Sequence, residues 1–383
     1  MYKIVKYKNP LYLIITSIVI VLSIASCKNN KGNCIQHYKV KTEGIKPPSI
    51  EFSPEKYICY KADQITIDGI LDERAWGSTD WTSDFVDIEG DLKPLPEHRT
   101  RAKLLWDDRY LYIAAELTEP HIWAKLKQRD TVIFYDNDFE IFIDPDGDTH
   151  EYMEFEMNAH NTIWDLLLTK PYRDNGRVAD AWNINGIESA VKIYGTINNP
   201  SDTDDRWVIE LAFPFDVLTE FGNPPADGIK WRINFSRVNW RTNIENGNYV
   251  KARNPETGKR YPGSNWVWSP QGIINMHYPE MWGYLQFSEI TAGEGLAEFM
   301  PDQDEQLKWN LRTLYYAQRN YANENGNYTS DTQKLYEYGY EKSEYKPCLI
   351  VKPFGYEAFI LSDISKLYWS IDNYGKIFSN KQE

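Results

Sequence analysis

From Tyr57 to about Ile290 apolar residues recur at every second position over short runs, the period of strands with one buried face. The clearest case lies between Asp136 and Asn158. Phe139, Ile141 and Ile143 alternate with Asp138, Glu140 and Asp144. After the turn Asp144-Pro145-Asp146-Gly147-Asp148, Met153, Phe155 and Met157 alternate with Tyr152, Glu154, Glu156 and Asn158. If the two runs pair as a hairpin, one face carries core residues. The other carries Glu140, Glu154, Glu156 and Asn158 beside Phe142 and Tyr152. Such a face is either plain solvated surface or a platform for sugar, whose rings need aromatic faces and whose hydroxyls need carboxylates and amides.

Similar patterns predict strands at 64–69, 102–106, 110–117, 162–168, 190–194, 207–213, 230–240 and 283–287, with a short helical turn over 72–76. Many short strands separated by turn residues argue for a mainly β chain whose domain over 57–290 is a β-sandwich. The texture changes at Asp302. Asp302 and Glu305 resemble a capping box, and Leu307, Leu311 and Leu314 share one helical face, so a helix to about Asn323 is expected. With strands at 348–351, 358–361 and 367–370, residues 300–383 read as a separate small α+β unit.

The start of the chain has no such period. Lys3, Lys6 and Lys8 precede the apolar run from Leu11 to Ala25, which ends in Ile24-Ala25-Ser26-Cys27. Residues 1–26 therefore read as a bacterial lipoprotein signal peptide, with Cys27 as the lipidated residue. Residues 27–56, polar and rich in Asn and Pro, read as a flexible tether. The expected location is the cell envelope, lipid-anchored at the outer membrane, on its periplasmic or surface face.

The net charge of −14 becomes more negative once the leader lysines are lost, and no basic block remains. That disfavours nucleic acid as a partner. The 14 Trp and 27 Tyr exceed what a core needs and suit stacking on sugar rings. Beyond Cys27 the widely spaced Cys34, Cys59 and Cys348 form no metal motif or disulfide framework, and a single Cys59–Cys348 bridge is the one pairing considered. Asp144, Asp146 and Asp148, bent by Gly147, offer closely spaced hard oxygens of the kind Ca²⁺ prefers, though the same residues also make an ordinary acidic turn.

Several segments resemble family 9 carbohydrate-binding modules, in the family's order. They are Ile67-Asp68-Gly69-Ile70-Leu71-Asp72-Glu73-Arg74-Ala75-Trp76, Leu105-Trp106-Asp107-Asp108-Arg109-Tyr110-Leu111-Tyr112, Asp136–Asp144, Trp231–Val238 and Trp282-Gly283-Tyr284-Leu285-Gln286-Phe287. The resemblance implies a β-sandwich with structural calcium that grips glycans, in known members at chain ends, between two aromatic rings. It places the sugar-contacting glutamate at Glu140 and the first clamp ring at Phe134, with Tyr135 next. Asn158, from the polar face of the hairpin and not from the resemblance, is added as a further contact. A family arginine aligns with Glu156, and a family glutamine with Arg237, or with Ser236 if a bulge intervenes. The second clamp ring belongs near 271–278, with Trp268 just upstream and Trp240 a further aromatic candidate.

No zinc-binding His motif, nucleophile elbow or phosphate loop is present. Glu140 with Glu154 or Glu156 is the one carboxylate pairing that a glycosidase could use, and it is a frequent pairing in acidic sheets. The reading is a lipoprotein that binds oligo- or polysaccharide without cleaving it. The alternatives are a glycoside hydrolase or its accessory subunit, and a surface scaffold whose 300–383 unit docks an envelope protein.

Overall fold

The computed structural model describes residues 39–381. The expected leader, Cys27 and Cys34 lie outside those residues. The principal strands are β1 (Lys56–Lys61), β2 (Thr100–Trp106), β3 (Tyr110–Thr118), β4 (Asp138–Asp144), β5 (Tyr152–Asn158), β6 (Ile163–Leu168), β7 (Glu188–Tyr194), β8 (Arg206–Pro214), β9 (Lys230–Asn239), β10 (Ser264–Val267) and β11 (Gly283–Thr291). Their pairing runs β6-β5-β4-β9-β11-β1-β2-β3-β8-β7, with β10 added beside the far half of β9. Neighbours are antiparallel except β1, which runs parallel to both β11 and β2.

This path folds over itself as a sandwich. Phe139, Ile141, Phe155, Met157 and Phe235 from one layer share a core with Leu104, Ile113, Ile209 and Leu211 from the other. These are the apolar positions of the period-2 pattern, because alternate side chains of a strand must leave on opposite faces. Both layers are also covered on the outside. Phe142, Tyr152, Leu166 and Trp282 cluster over one, and Trp76, Leu105, Tyr112 and Ala212 over the other. The segment 64–69, expected as a strand, joins no ladder. The buried Glu210 carboxylate holds it instead, accepting from the Asp68 and Gly69 N–H groups at 3.0 and 2.9 Å and from Trp76 Nε1 at 2.8 Å. A side chain here takes the donors that a neighbouring strand would have taken.

The C-terminal part contains the helix Glu305–Asn325 and four antiparallel strands, β12 (Cys348–Lys352), β13 (Gly355–Leu361), β14 (Leu367–Asp372) and β15 (Ile377–Lys381). The helix does not begin with the expected capping box. Asp304 stands at the N-cap and spends its carboxylate on Ser362 Oγ at 2.5 Å and Trp369 Nε1 at 2.8 Å, tying the helix to its sheet. Gly326, at φ 70°, ends the helix in the left-handed conformation that favours glycine.

Two expectations about domain organisation are corrected. The α+β part is not a separate unit, since Tyr278 and Met281 of the sandwich share one core with Leu307, Leu311, Leu314 and Tyr315 of the helix. Nor do residues 40–56 behave as a tether. Ile45 is buried in that same core and its N–H donates to Asn320 Oδ1 at 2.8 Å, while Phe52 stacks on Trp309 with ring centroids 4.1 Å apart. Their polar composition concealed a few apolar anchors that a three-dimensional partner could hold. Cys59 is buried and Cys348 exposed, and both are free thiols.

A buried ionic network fastens the two parts. Arg173 Nη2 donates to both Glu280 carboxylate oxygens at 2.8 Å, Tyr316 Oη donates to Glu280 at 2.5 Å, and Arg312 lies 4.0 Å away. Burial alone would raise the Glu280 pKa. Arg173 and Arg312 outweigh that effect and hold it at about 2. The unfolded chain titrates near 4.5, so this stabilisation is complete above that pH and is lost as pH falls toward 2. Glu280→Gln is expected to cost about 3–5 kcal/mol at neutral pH, because it leaves buried guanidinium groups without their partner. Urea midpoints at pH 7 and pH 3 check this: the cost should shrink at the lower pH, and an equal cost at both would refute it.

Candidate functional site

The β4–β5 hairpin sets the geometry. Its register places Glu140 directly opposite Glu156, Phe142 opposite Glu154, and Asp138 opposite Asn158. On the flanking strands Ser236 of β9 faces Glu140, and Trp164 of β6 faces Glu156. All these side chains leave on the face away from the core. That face is not the solvated surface that alternation alone suggested: Glu156 is 1% exposed, and Glu140 and Glu154 are also buried.

Carboxylates brought together out of water repel and are poorly solvated, so their protonated forms are favoured. Burial raises Glu140 to about 7. Burial and then the charge of Glu140 raise Glu154 to about 8. Asp138 and Glu156 are pushed well up by burial and then by Glu140. Asp138 Oδ1 accepts the Val238 N–H at 3.1 Å, and Glu156 Oε2 accepts the Phe134 N–H at 3.1 Å. The second of these links the floor of the site to its aromatic edge, and the first ties it to β9.

Phe134 is 36% and Tyr135 55% exposed, with their ring centroids 5.0 Å apart. Trp164 lies 6.4 Å from Phe134. Trp240, half-buried, donates from Nε1 to the Phe134 carbonyl at 2.8 Å, and Lys251 Nζ lies 3.3 Å from its ring centroid. Phe134, Tyr135, Glu140, Glu156 and Trp240 are therefore assembled in one neighbourhood. Tyr172, 47% exposed, lies near the same face from a turn that carried no strand pattern, its ring centroid 4.5 Å from that of His277, which is hydrogen-bonded to Tyr152; burial first and then the charges of Glu154 and Glu156 raise its pKa.

The other proposed contact residues stand differently. Asn158 is fully engaged: Nδ2 donates to the Leu126 carbonyl at 2.8 Å and to Asp136 Oδ2 at 3.1 Å, while Oδ1 accepts from the His160 and Thr162 N–H groups. It locks a turn and has no donor left for a ligand. Arg237 has the parity of Trp231, Ile233 and Phe235, so it leaves on the inner face, opposite to Glu140. There it donates to Glu119 at 2.5 Å, Thr118 O at 2.9 Å and Thr100 Oγ1 at 3.1 Å. Ser236, the residue that a bulge would have offered, is the one on the Glu140 face. Trp268 is buried in the core against Phe235, and a Cβ at Gly283 would come 2.4 Å from its ring.

Asp144, Asp146 and Asp148 do converge, with one oxygen from each lying within 4.8 Å of the others. Gly147, at φ 70°, makes the bend. Burial and neighbouring carboxylates raise Asp144 well above its usual range, and burial and Asp146 raise Asp148 to about 6. An all-oxygen set with unanswered negative charge fits a hard cation. Part of its capacity is already used, because Asp144 accepts the Gly147 and Thr149 N–H groups and Lys376 pairs with Asp148 at 2.7 Å.

A second concavity, of about 530 Å³, opens at the strand ends on the other side of Trp240. Trp123, Trp240, Tyr261 and Trp266 line it together with His98 and His121. The buried Trp123 Nε1 has no hydrogen-bond partner.

Given its place in the core, Trp268→Ala is expected to destabilise the fold by about 3–5 kcal/mol. Chemical denaturation checks this; a variant with unchanged stability but altered ligand affinity would return Trp268 to the ligand site.

Residues 67–234 match the family model described as carbohydrate family 9 binding domain-like. Exoglucanase XynX of Acetivibrio thermocellus is 25% identical over 119 residues, which is 31% of this chain and 9% of that protein. Endo-1,4-beta-xylanase A of Thermoanaerobacterium saccharolyticum is 24% identical over 118 residues, 30% of this chain and 8% of that protein. The matched segment thus spans less than a tenth of these curated relatives. Among solved structures, a family 9 carbohydrate binding module from Caldicellulosiruptor kristjanssonii in complex with cellotriose shares 15% identity at a TM-score of 0.40, covering 64% of this chain and 100% of that one. With the sandwich and its hairpin in place, residues 67–234 are thus the part of the chain that resembles a carbohydrate family 9 binding domain.

Proposed function

We propose that this protein is an envelope lipoprotein, anchored through Cys27, whose sandwich captures oligosaccharide without cleaving it. The observation that carries the reading is the cluster of partly exposed rings, Phe134, Tyr135, Trp164 and Trp240, set beside the carboxylates of the β4–β5 hairpin. Rings take the apolar face of a sugar, and carboxylates orient its hydroxyls. The family 9 match over residues 67–234 supports the ligand class. The cellotriose held by the Caldicellulosiruptor module suggests β-linked glucans as the first ligands to try. Calcium held by Asp144, Asp146 and Asp148 would cross-link the turn between β4 and β5 and stiffen the platform from its far end.

A second reading seats the sugar in the cleft beyond Trp240. Its volume, its aromatic lining and the unpartnered Trp123 indole N–H favour it. Calorimetry with cello- and xylo-oligosaccharides, with calcium and after chelation, separates the two. Under the first reading Phe134→Ala weakens binding about tenfold, or roughly 1.4 kcal/mol, at unchanged thermal stability, and Tyr261→Ala has no effect. The reverse result moves the site to the cleft. Absence of binding by the folded protein refutes both. If the loop holds calcium, chelation lowers the thermal midpoint; an unchanged midpoint argues against that ion.

A further inference from the structure

The chain is strongly acidic, at −14 overall, yet the fold gathers cations around one concavity. Lys125, Lys251, Arg253 and Arg260 line a hollow of about 210 Å³ together with the exposed ring of Tyr135. Lys125 comes from the loop before β4 and the other three from a segment far along the sequence, so no basic run announces the cluster. Two pairings put the later residues in place. Asn248–Lys251 forms a small hairpin with Thr242–Glu245, and an isolated antiparallel bridge sets Arg253 directly opposite Arg260. Like charges facing each other across such a pair repel.

Among the described residues no carboxylate answers this charge. Asp136, the acid that lines the hollow, is already engaged: its Oδ2 accepts the Lys125 and Leu126 N–H groups at 2.7 and 2.8 Å and Asn158 Nδ2 at 3.1 Å. Lys125 Nζ and Arg253 Nη1 donate to the carbonyls of Tyr249 and Gly258, at 3.1 and 2.9 Å. Lys251 is half-buried and meets ring faces, 3.3 Å from the Trp240 centroid and 5.6 Å from that of Tyr135. Burial first and then the charge of Arg260 lower its pKa to about 8, and Asp136 does not offset them.

Tyr135 and Trp240 belong to the aromatic cluster assigned above to sugar, so the cations border that platform. We infer that the sugar bound there is acidic, and that Lys251 and Arg260, with Lys125 and Arg253 beside them, hold its anionic group, a uronate carboxylate or a sulfate ester. The inference rests on the proposed sugar platform and adds the class of glycan. Guanidinium groups meet the paired oxygens of such anions with two parallel N–H donors, and lysine adds a point charge. A neutral sugar offers hydroxyls, which leave the charge of the cluster as it is. The acidic surface elsewhere repels an anionic glycan, so this hollow is where such a chain is drawn in. Anionic lipid headgroups share the charge but have no use for a ring-lined hollow.

The test is calorimetry on the purified chain with matched ligands: xylo-oligosaccharides with and without glucuronate side groups, and cello-oligosaccharides with and without sulfate. The acidic member of at least one pair should bind about tenfold more tightly or better, and rising salt should shrink that difference. A preference confined to the first pair identifies a carboxylate, and one confined to the second a sulfate. Lys251→Met and Arg260→Ala should each remove most of the difference, with thermal melts to verify folding. Arg260→Ala, at an exposed position, decides if Lys251→Met does not fold. Equal affinity within both pairs, or a difference that these substitutions do not reduce, overturns the inference and leaves the sugar platform standing. Absence of binding to every oligosaccharide refutes the platform as well. Adsorption to phosphatidylglycerol vesicles that Arg260→Ala abolishes, without preference for either acidic sugar, overturns the inference and assigns the cations to a lipid surface.

Discussion

Charge that folding carries out of water has to be answered, and the way this chain answers it organises both its architecture and its candidate site. At Glu280 the answer is arginine. Two guanidinium groups and a tyrosine hydroxyl surround one carboxylate, and those partners come from different segments, so satisfying the charge also joins the segments. Glu210 is answered by backbone and indole N–H groups, which draws the 68–76 loop onto the sheet in place of a strand. Among the described residues the hairpin carboxylates have no arginine or lysine partner, and Asp138 and Glu156 are each met by a single backbone N–H. The same constraint that elsewhere builds structure here favours the protonated carboxyl groups.

That contrast explains why the sandwich and the C-terminal part behave as one body. Tyr278, Met281 and Glu280 precede β11, and they lie under the helix Glu305–Asn325 with their apolar side chains in its core and their carboxylate against its Tyr316 and Arg312. Residues 40–52 close the seam from outside through Ile45 and Phe52.

The site separates into groups that hold structure and groups that remain available. Asn158, Arg237 and Trp268 are chemically suited to sugar, yet each is consumed by the fold: a turn, an ion pair on the inner face and the core. Phe134, Tyr135, Trp164 and Trp240 keep exposed ring surface, and the carboxylates behind them keep unsatisfied oxygens. Residue type proposes a contact, and prior engagement decides whether it is free to make one.

The sequence by itself determined the hairpin, the parity of its two strands and the sandwich around it, because strand alternation is local and an apolar residue on the wrong parity would face water. It likewise determined that Glu140, Glu154 and Glu156 share a face, and that Leu307, Leu311 and Leu314 make one helix side. It could not determine what covers that face, since burial of the carboxylates and the engagement of Asn158 depend on segments distant along the chain. Arg237 was misplaced because the family resemblance set a glutamine contact at its position, and only the Glu119 partner, 118 positions away, makes its inward parity tolerable. The residues from 40 to 56 lacked any period because isolated anchors such as Ile45 and Phe52 gain their stabilisation from contacts with a remote helix. Periodicity is written in neighbouring residues; the pairing of charges and the closing of a seam exist only once the chain has folded.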